Sequence, residues 1–209
     1  MEKSLKDGNR LSLYIVMLAN LCFFYLVVEN NAIASGGWFD LLRNVSSAVP
    51  AALGLILTGV LNAQLPAEMK SRIIFMRWQN SLPGCAAFSH YAKHDARIDF
   101  SAIQSLFGPL PEDPREQNAL WYKLYKSVDS DPAVVQVHRA YLFTRDYACI
   151  ALMLAFVLSL IGFFLIPSKT IATLYSFALV LQFFVASQAA RTHAKRFVTT
   201  VLAIKGAVA

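Results

Sequence analysis

The hydrophobic pattern of this chain changes period twice. Four stretches carry no Lys, Arg, Asp or Glu: Leu11 to Val28, Asn44 to Ala67, Tyr147 to Ser168 and Thr170 to Ala190. A helix crossing a bilayer needs roughly 17–25 such residues at 1.5 Å rise each. All four fit, the first near the lower limit. Residues 151–166 have almost no polar face, so that helix is buried on all sides or faces lipid. The pattern predicts an all-α integral membrane protein with four transmembrane helices.

The chain between the second and third spans is patterned differently. Residues 68–146 hold ten of the nineteen basic residues and nine of the thirteen acidic ones. Local signals predict helices here. Glu68 to Gln79 reads as a continuation of the second span, kinked at Pro66. Asn80-Ser81-Leu82-Pro83-Gly84 reads as the turn that ends it. Asp99 precedes Phe100, Ile103, Leu106 and Phe107, a short capped helix closed by Gly108-Pro109. Asp113-Pro114 with Glu116 is a helix start with a capping box, leading into Leu120, Trp121, Leu124 and Tyr125. Asp131-Pro132 repeats the start, and no breaker follows before Ile166. That predicts a helix of about 35 residues, roughly 52 Å long. The third span therefore extends several turns beyond a bilayer core of about 30 Å. The expected division is 1–67 as tail and first hairpin, 68–146 as a cytoplasmic helical domain, and 147–209 as second hairpin and basic C-terminal tail. Trp78, Trp121, Tyr122 and Tyr125 are expected in the domain core.

Charge sets the orientation. Lys3, Lys6 and Arg10 precede the first span; Lys70, Arg72 and Arg77 follow the second; Arg139 and Arg145 precede the third; Arg191, Lys195 and Arg196 follow the fourth. The other side has only Arg43 and Lys169. Basic flanks stay on the cytoplasmic side, so both termini are placed there, with a bacterial inner membrane as the expected location. Arg72, Arg77, Arg139, Arg145, Arg191, Lys195 and Arg196 form the expected basic collar at the inner leaflet, favoured by anionic lipid. Trp38 and Phe39 are expected at the outer interface. Ala32-Ile33-Ala34 matches a signal-cleavage pattern, but Leu11–Val28 exceeds the roughly 7–15 apolar residues of a signal peptide. It is expected to remain as a span.

Composition agrees with lipid as solvent. The chain has 209 residues, 56% of them hydrophobic, against about 45–50% in soluble domains. The net charge of +6 is spent on topology, and the nearly neutral central segment does not indicate nucleic acid as a partner. Three cysteines, Cys22, Cys85 and Cys149, lack the number and spacing of a disulfide framework.

Candidate chemistry is sparse. Cys85, His90, His94 and Asp95 are the one metal-like cluster, the two histidines four apart as on one helix face. No HExxH pattern, Gly-x-Ser-x-Gly elbow, phosphate-cradling glycine loop or Arg-x4-His ribonuclease spacing occurs. No catalytic residue and no cofactor is expected. The spans hold no ionisable Asp, Glu, Lys, Arg or His, which speaks against ion-coupled transport. Their mild polarity at Asn20, Ser47, Thr58, Asn62, Gln182 and Gln188 serves as helix–helix glue or, in an assembly, as a wet lining. Ala48, Ala51, Ala52, Gly54, Thr58 and Gly59 give the second span a small face suited to close packing.

The stretch from Arg72 to Ser89 (RIIFMRWQNSLPGCAAFS), with Gln117-Asn118-Ala119-Leu120-Trp121-Tyr122, resembles small multi-span membrane effector and accessory proteins of prokaryotic antiviral defence systems. The resemblance covers 24 residues and carries no catalytic residue. It implies a membrane-acting protein controlled through its cytoplasmic domain by a partner or signal. The leading expectation is a non-enzymatic, self-associating membrane protein, pore-forming or membrane-perturbing, with lipid, further copies of itself and a cytoplasmic protein or ligand as partners. The alternatives are a membrane-bound hydrolase or nuclease with its site at the cytoplasmic boundary, and a scaffold or assembly subunit of a larger membrane complex.

Overall fold

A computed structural model describes residues 7–29 and 45–207. Every regular element among them is helical. The principal helices are α1 (Arg10–Val28), α2 (Val49–Gln64), α3 (Ala67–Phe75), α4 (Phe100–Phe107), α5 (Pro114–Lys126), α6 (Pro132–Leu165) and α7 (Lys169–Ala207). Helices α1, α6 and α7 are long and apolar enough to cross a membrane, and α2 passes the same test only when paired with α3. Trp38, Phe39, Arg43, Lys3, Lys6 and Ala32-Ile33-Ala34 lie outside the described residues.

The chain divides into two compact units, one of Gly8–Leu65 with Asp146–Ala186, the other of Pro66–Arg145 with the chain from Ser187 onward. The first is apolar inside and out. Phe24, Leu154 and Leu158 are fully buried in its core, together with Tyr175 and Leu179. Its outer surface carries Leu11, Ile15 and Leu18 of α1, Leu53 and Ile56 of α2, Phe156 and Phe164 of α6, and Phe177 and Val185 of α7, all exposed. The small face of α2 is used within this chain. A Cβ at Gly54 would lie 2.7 Å from Val157 Cγ1 of α6, and one at Gly59 would lie 3.4 Å from Met17 Cε of α1. Pro50 sits in the first turn of α2, where its missing N–H costs nothing.

The second unit has its own core, built from Phe88, Ile98, Ile103, Trp121, Leu124, Val134 and Tyr141 with Ala194, Phe197, Val198, Val201 and Leu202. The last five come from the segment expected as a basic C-terminal tail, where α7 runs on to Ala207. Ala190, Ala194, Phe197, Val201 and Leu202 recur at helical spacing with Arg191, Lys195 and Arg196 between them. The segment is amphipathic, and its apolar stripe completes the core.

Two further expectations change. Glu68–Gln79 does not continue the second span as a kinked helix. Leu65 is extended (ψ 125°) because the following proline disfavours the α conformation, so α3 is a separate helix that ends at Phe75, before the expected turn. Trp78 and Tyr122 are exposed, while Trp121 is buried as expected and Tyr125 packs partly against the core. Both expected Asp caps form: Asp99 accepts from the Ala102 N–H, and Asp113 from the N–H groups of Arg115 and Glu116, but among the described residues no hydrogen bond to the Glu116 side chain completes the expected box. The break between α6 and α7 falls at Ile166-Pro167-Ser168, as the sequence predicts.

Candidate functional site: a polar cleft beside Trp78

The 72–89 stretch and the 117–122 stretch, far apart in sequence, fold onto one another. After α3 the chain passes through Met76 and Asn80, both at positive φ (52° and 51°), a backbone region sparsely used by residues other than glycine. It then coils through a 3-10 turn (Pro83–Ala86), a π turn (Ala87–Tyr91) and a second 3-10 turn (Ala92–His94). Gly84 is where this coil meets α5: a Cβ there would lie 2.6 Å from Asn118 Oδ1 and 2.7 Å from Trp121 Cε3. Gln117, almost wholly buried, fastens the next turn. Its Oε1 accepts from Phe88 N, Ser89 N and Ser89 Oγ, each at 3.1 Å, and its Nε2 donates to Glu112 O at 2.9 Å. One carboxamide thus satisfies donors that a coil of mixed helical type leaves without regular partners.

These contacts leave a cleft of about 360 Å³ between α3, the 76–82 turn and α5. Its lining includes Glu68 and Arg72 of α3, joined by a 2.7 Å ion pair. Trp78, Gln79 and Asn80 of the following turn and Arg115 and Asn118 of α5 also line it. Trp78 is 78% exposed. Two donors in the wall, Arg72 Nε and Ser81 Oγ, are buried without a hydrogen-bond partner. Cys85 lies in the same wall, and burial pushes its thiol pKa up, so it stays protonated. The cleft therefore offers guanidinium and amide groups, a flat aromatic face and no thiolate nucleophile. Its volume is within the range of small-molecule sites, about 300–1,000 Å³.

The metal-like cluster is not assembled. His90 and His94 do come together, with ring centroids 4.6 Å apart and a hydrogen bond between His94 Nδ1 and His90 O at 2.7 Å. Cys85 does not join them: among the described residues no three His, Cys, Asp or Glu side chains are arranged to hold a metal ion.

The basic residues fare differently from one another. Arg77, Arg139, Lys195 and Arg196 are exposed. Arg145 is not: it is buried, with its guanidinium 5.8 Å from the Tyr141 ring. Arg191 Nε donates to Ile74 O at 2.7 Å, so it satisfies a carbonyl in the last turn of α3. The expected collar therefore includes two structural arginines. Of the polar span residues, Asn20 and Thr58 are buried and donate to carbonyls of their own helices, Val16 O at 2.9 Å and Gly54 O at 2.8 Å. Asn62 is buried with its Oδ1 unpartnered. Gln182 Nε2 donates to the Tyr147 hydroxyl at 2.9 Å, and Gln188 is exposed. Ser47 belongs to the 3-10 turn that precedes α2.

Sequence reasoning passed over several contacts. Arg97 holds Asp95 at 3.0 and 2.7 Å and donates to Thr199 of α7 at 3.0 Å; the arginine keeps the Asp95 carboxyl well below the usual range. Phe197 is ringed by Trp121, Tyr125, His138 and Tyr141. Burial, with Arg145 and Lys126 nearby, lowers the His138 pKa to about 4, so its ring is neutral at pH 7. A glutamine following a capping motif and an apolar period running into the C-terminal segment were the available signals. Compared with known family models, curated proteins and solved structures, the chain matches none.

Proposed function

We propose that this chain is a four-span protein of the bacterial inner membrane that recognises rather than catalyses. Its second unit and both termini lie in the cytoplasm, and its apolar unit self-associates within the bilayer. One observation carries the reading: the first unit turns Leu, Ile, Val and Phe side chains outward along all four of its helices. Monomeric soluble proteins rarely expose contiguous apolar patches beyond a few hundred Å², whereas such a surface is at rest in hydrocarbon.

Helix α2 counts as the fourth span on length. Its 16 residues and the 3-10 turn Val45–Ala48 before it together rise roughly 32 Å, enough for a core of about 30 Å. Lys169 and the 166–168 turn then face outside, and Arg77, Arg139, Lys195 and Arg196 face the inner leaflet.

The cytoplasmic unit supplies recognition through the cleft beside Trp78, and its occupant, a ligand or a protein, sets the state of the membrane unit. A membrane-perturbing effector of antiviral defence is the specific form favoured by the resemblance at 72–89 and 117–122. Any aqueous path would have to form between copies, because Asn20, Thr58 and Asn62 are turned into the single-chain bundle. The test is particle size in mild detergent together with dye release from liposomes over a range of protein densities. Oligomers with density-dependent release support the effector form. A monomer in detergent that leaves liposomes tight at every density refutes it, and co-purification of a fixed second protein at constant ratio selects the scaffold reading.

A further inference from the structure

We propose that the cleft beside Trp78 binds an organic phosphate, its phosphoryl group held by Arg115 and Arg72 and its apolar or aromatic body laid against the Trp78 indole. This rests on the reading of the cytoplasmic unit as the recognition part.

The lining is one-sided in charge: two guanidiniums face a single carboxylate. Glu68 occupies only Nη2 of Arg72. Arg115 is exposed, and no described carboxylate pairs with its side chain. Guanidinium forks match phosphate oxygens in pairs. The neutral Cys85 thiol adds no opposing charge. Gln79, Asn80 and Asn118 add amides that donate or accept at the edge of a bound group.

Trp78 supplies the apolar part of the site. It lines the cleft from a turn whose backbone takes left-handed conformations at Met76 and Asn80, and it is left in the open although an apolar core lies in the same unit. A flat apolar face next to unpaired guanidinium suits a molecule that is apolar at one end and phosphorylated at the other. Soluble metabolites and phospholipid headgroups both have this chemistry.

The full-length protein is titrated with phenyl phosphate by calorimetry, first in detergent and then in nanodiscs of phosphatidylglycerol or of phosphatidylcholine. We expect saturable one-to-one binding, weakened about tenfold in Arg115→Gln and about fivefold in Trp78→Ala, with phenol and inorganic phosphate each binding far more weakly. Both substituted side chains are exposed, and unchanged melting of the variants confirms that folding is preserved. Loss of phenyl phosphate binding in phosphatidylglycerol nanodiscs alone supports the proposal with a lipid headgroup as the natural source. Retention in both nanodiscs supports it with a soluble source. No saturable binding in detergent or in nanodiscs overturns it, as does binding equally strong in both variants. Particle size and dye release involve no added ligand, so this failure and failure of the self-association reading are separable.

Discussion

Phe197 of α7 stacks on His138 of α6 with ring centroids 4.5 Å apart and planes only 3° from parallel. Trp121 and Tyr125 meet the same phenyl ring edge-on at 5.1 and 5.2 Å. One side chain of the last helix thus touches both α5 and α6. Phe197→Ala should cost about 3–5 kcal/mol, and a stop codon at position 191 should leave the unit without a core. Limited proteolysis of purified protein checks both: cleavage between residues 76 and 131 should accelerate strongly in each, and equal resistance to wild type would show that α7 is dispensable.

His138 gives the same packing a pH signature. Its folded pKa is about 4 against an ordinary 6.5. Between those values the unfolded chain takes up a proton that the folded one refuses. Stability is therefore unaffected by this group above pH 6.5 and falls as the pH drops through the window towards 4. His138→Phe keeps an aromatic ring and removes the titration. Melting temperatures recorded from pH 7 to pH 4 should decline less steeply in that variant than in wild type.

Gln117→Leu preserves bulk but strands the Phe88 and Ser89 donors. A buried donor without a partner costs about 1–3 kcal/mol, so the variant should melt several degrees lower. Gly84→Ala should do likewise, because its methyl group would meet Asn118 and the Trp121 ring at 2.6 and 2.7 Å. Ala119→Ser, exposed on the same helix, should be neutral in the same assay.

Two glycines of α2 should separate cleanly. Gly54→Ala forces Val157 of α6 to give way from a 2.7 Å approach, at about 1–3 kcal/mol. Gly59→Ala meets only the mobile end of Met17 at 3.4 Å and should be tolerated. Thermal unfolding in detergent distinguishes them, and equal sensitivity would contradict close packing of α2 against α6.

Much of this architecture could be read from residue order, because lipid-spanning length, caps and prolines are local signals. Asp99, Asp113 and Pro132 each start the helix the sequence assigns to them. The error at Pro66 was one of degree: the restraint on Leu65 was visible, but a kink and a full break share the same signal. The C-terminal helix was missed because Arg191, Lys195 and Arg196 served as topology markers, which hid the apolar period between them. The cleft was not legible at all. Its walls come from residues 68–85 and 115–118, and Gly84 and Gln117 bring them together through contacts that no local pattern announces. Arg145 and Arg191 show the converse: position in sequence placed them at a collar, while burial and a carbonyl 117 residues away give them structural work.

The central claim, that lipid surrounds the first unit while the second faces the cytoplasm, is tested most directly by an impermeant maleimide on intact spheroplasts expressing Thr170→Cys or Gln104→Cys, with wild type as the background for Cys22, Cys85 and Cys149. Both positions are exposed. The account predicts labelling of Thr170→Cys from outside, and of Gln104→Cys only after the membrane is opened. Labelling of Gln104→Cys in intact spheroplasts, or recovery of the protein in the aqueous fraction without detergent, would contradict it.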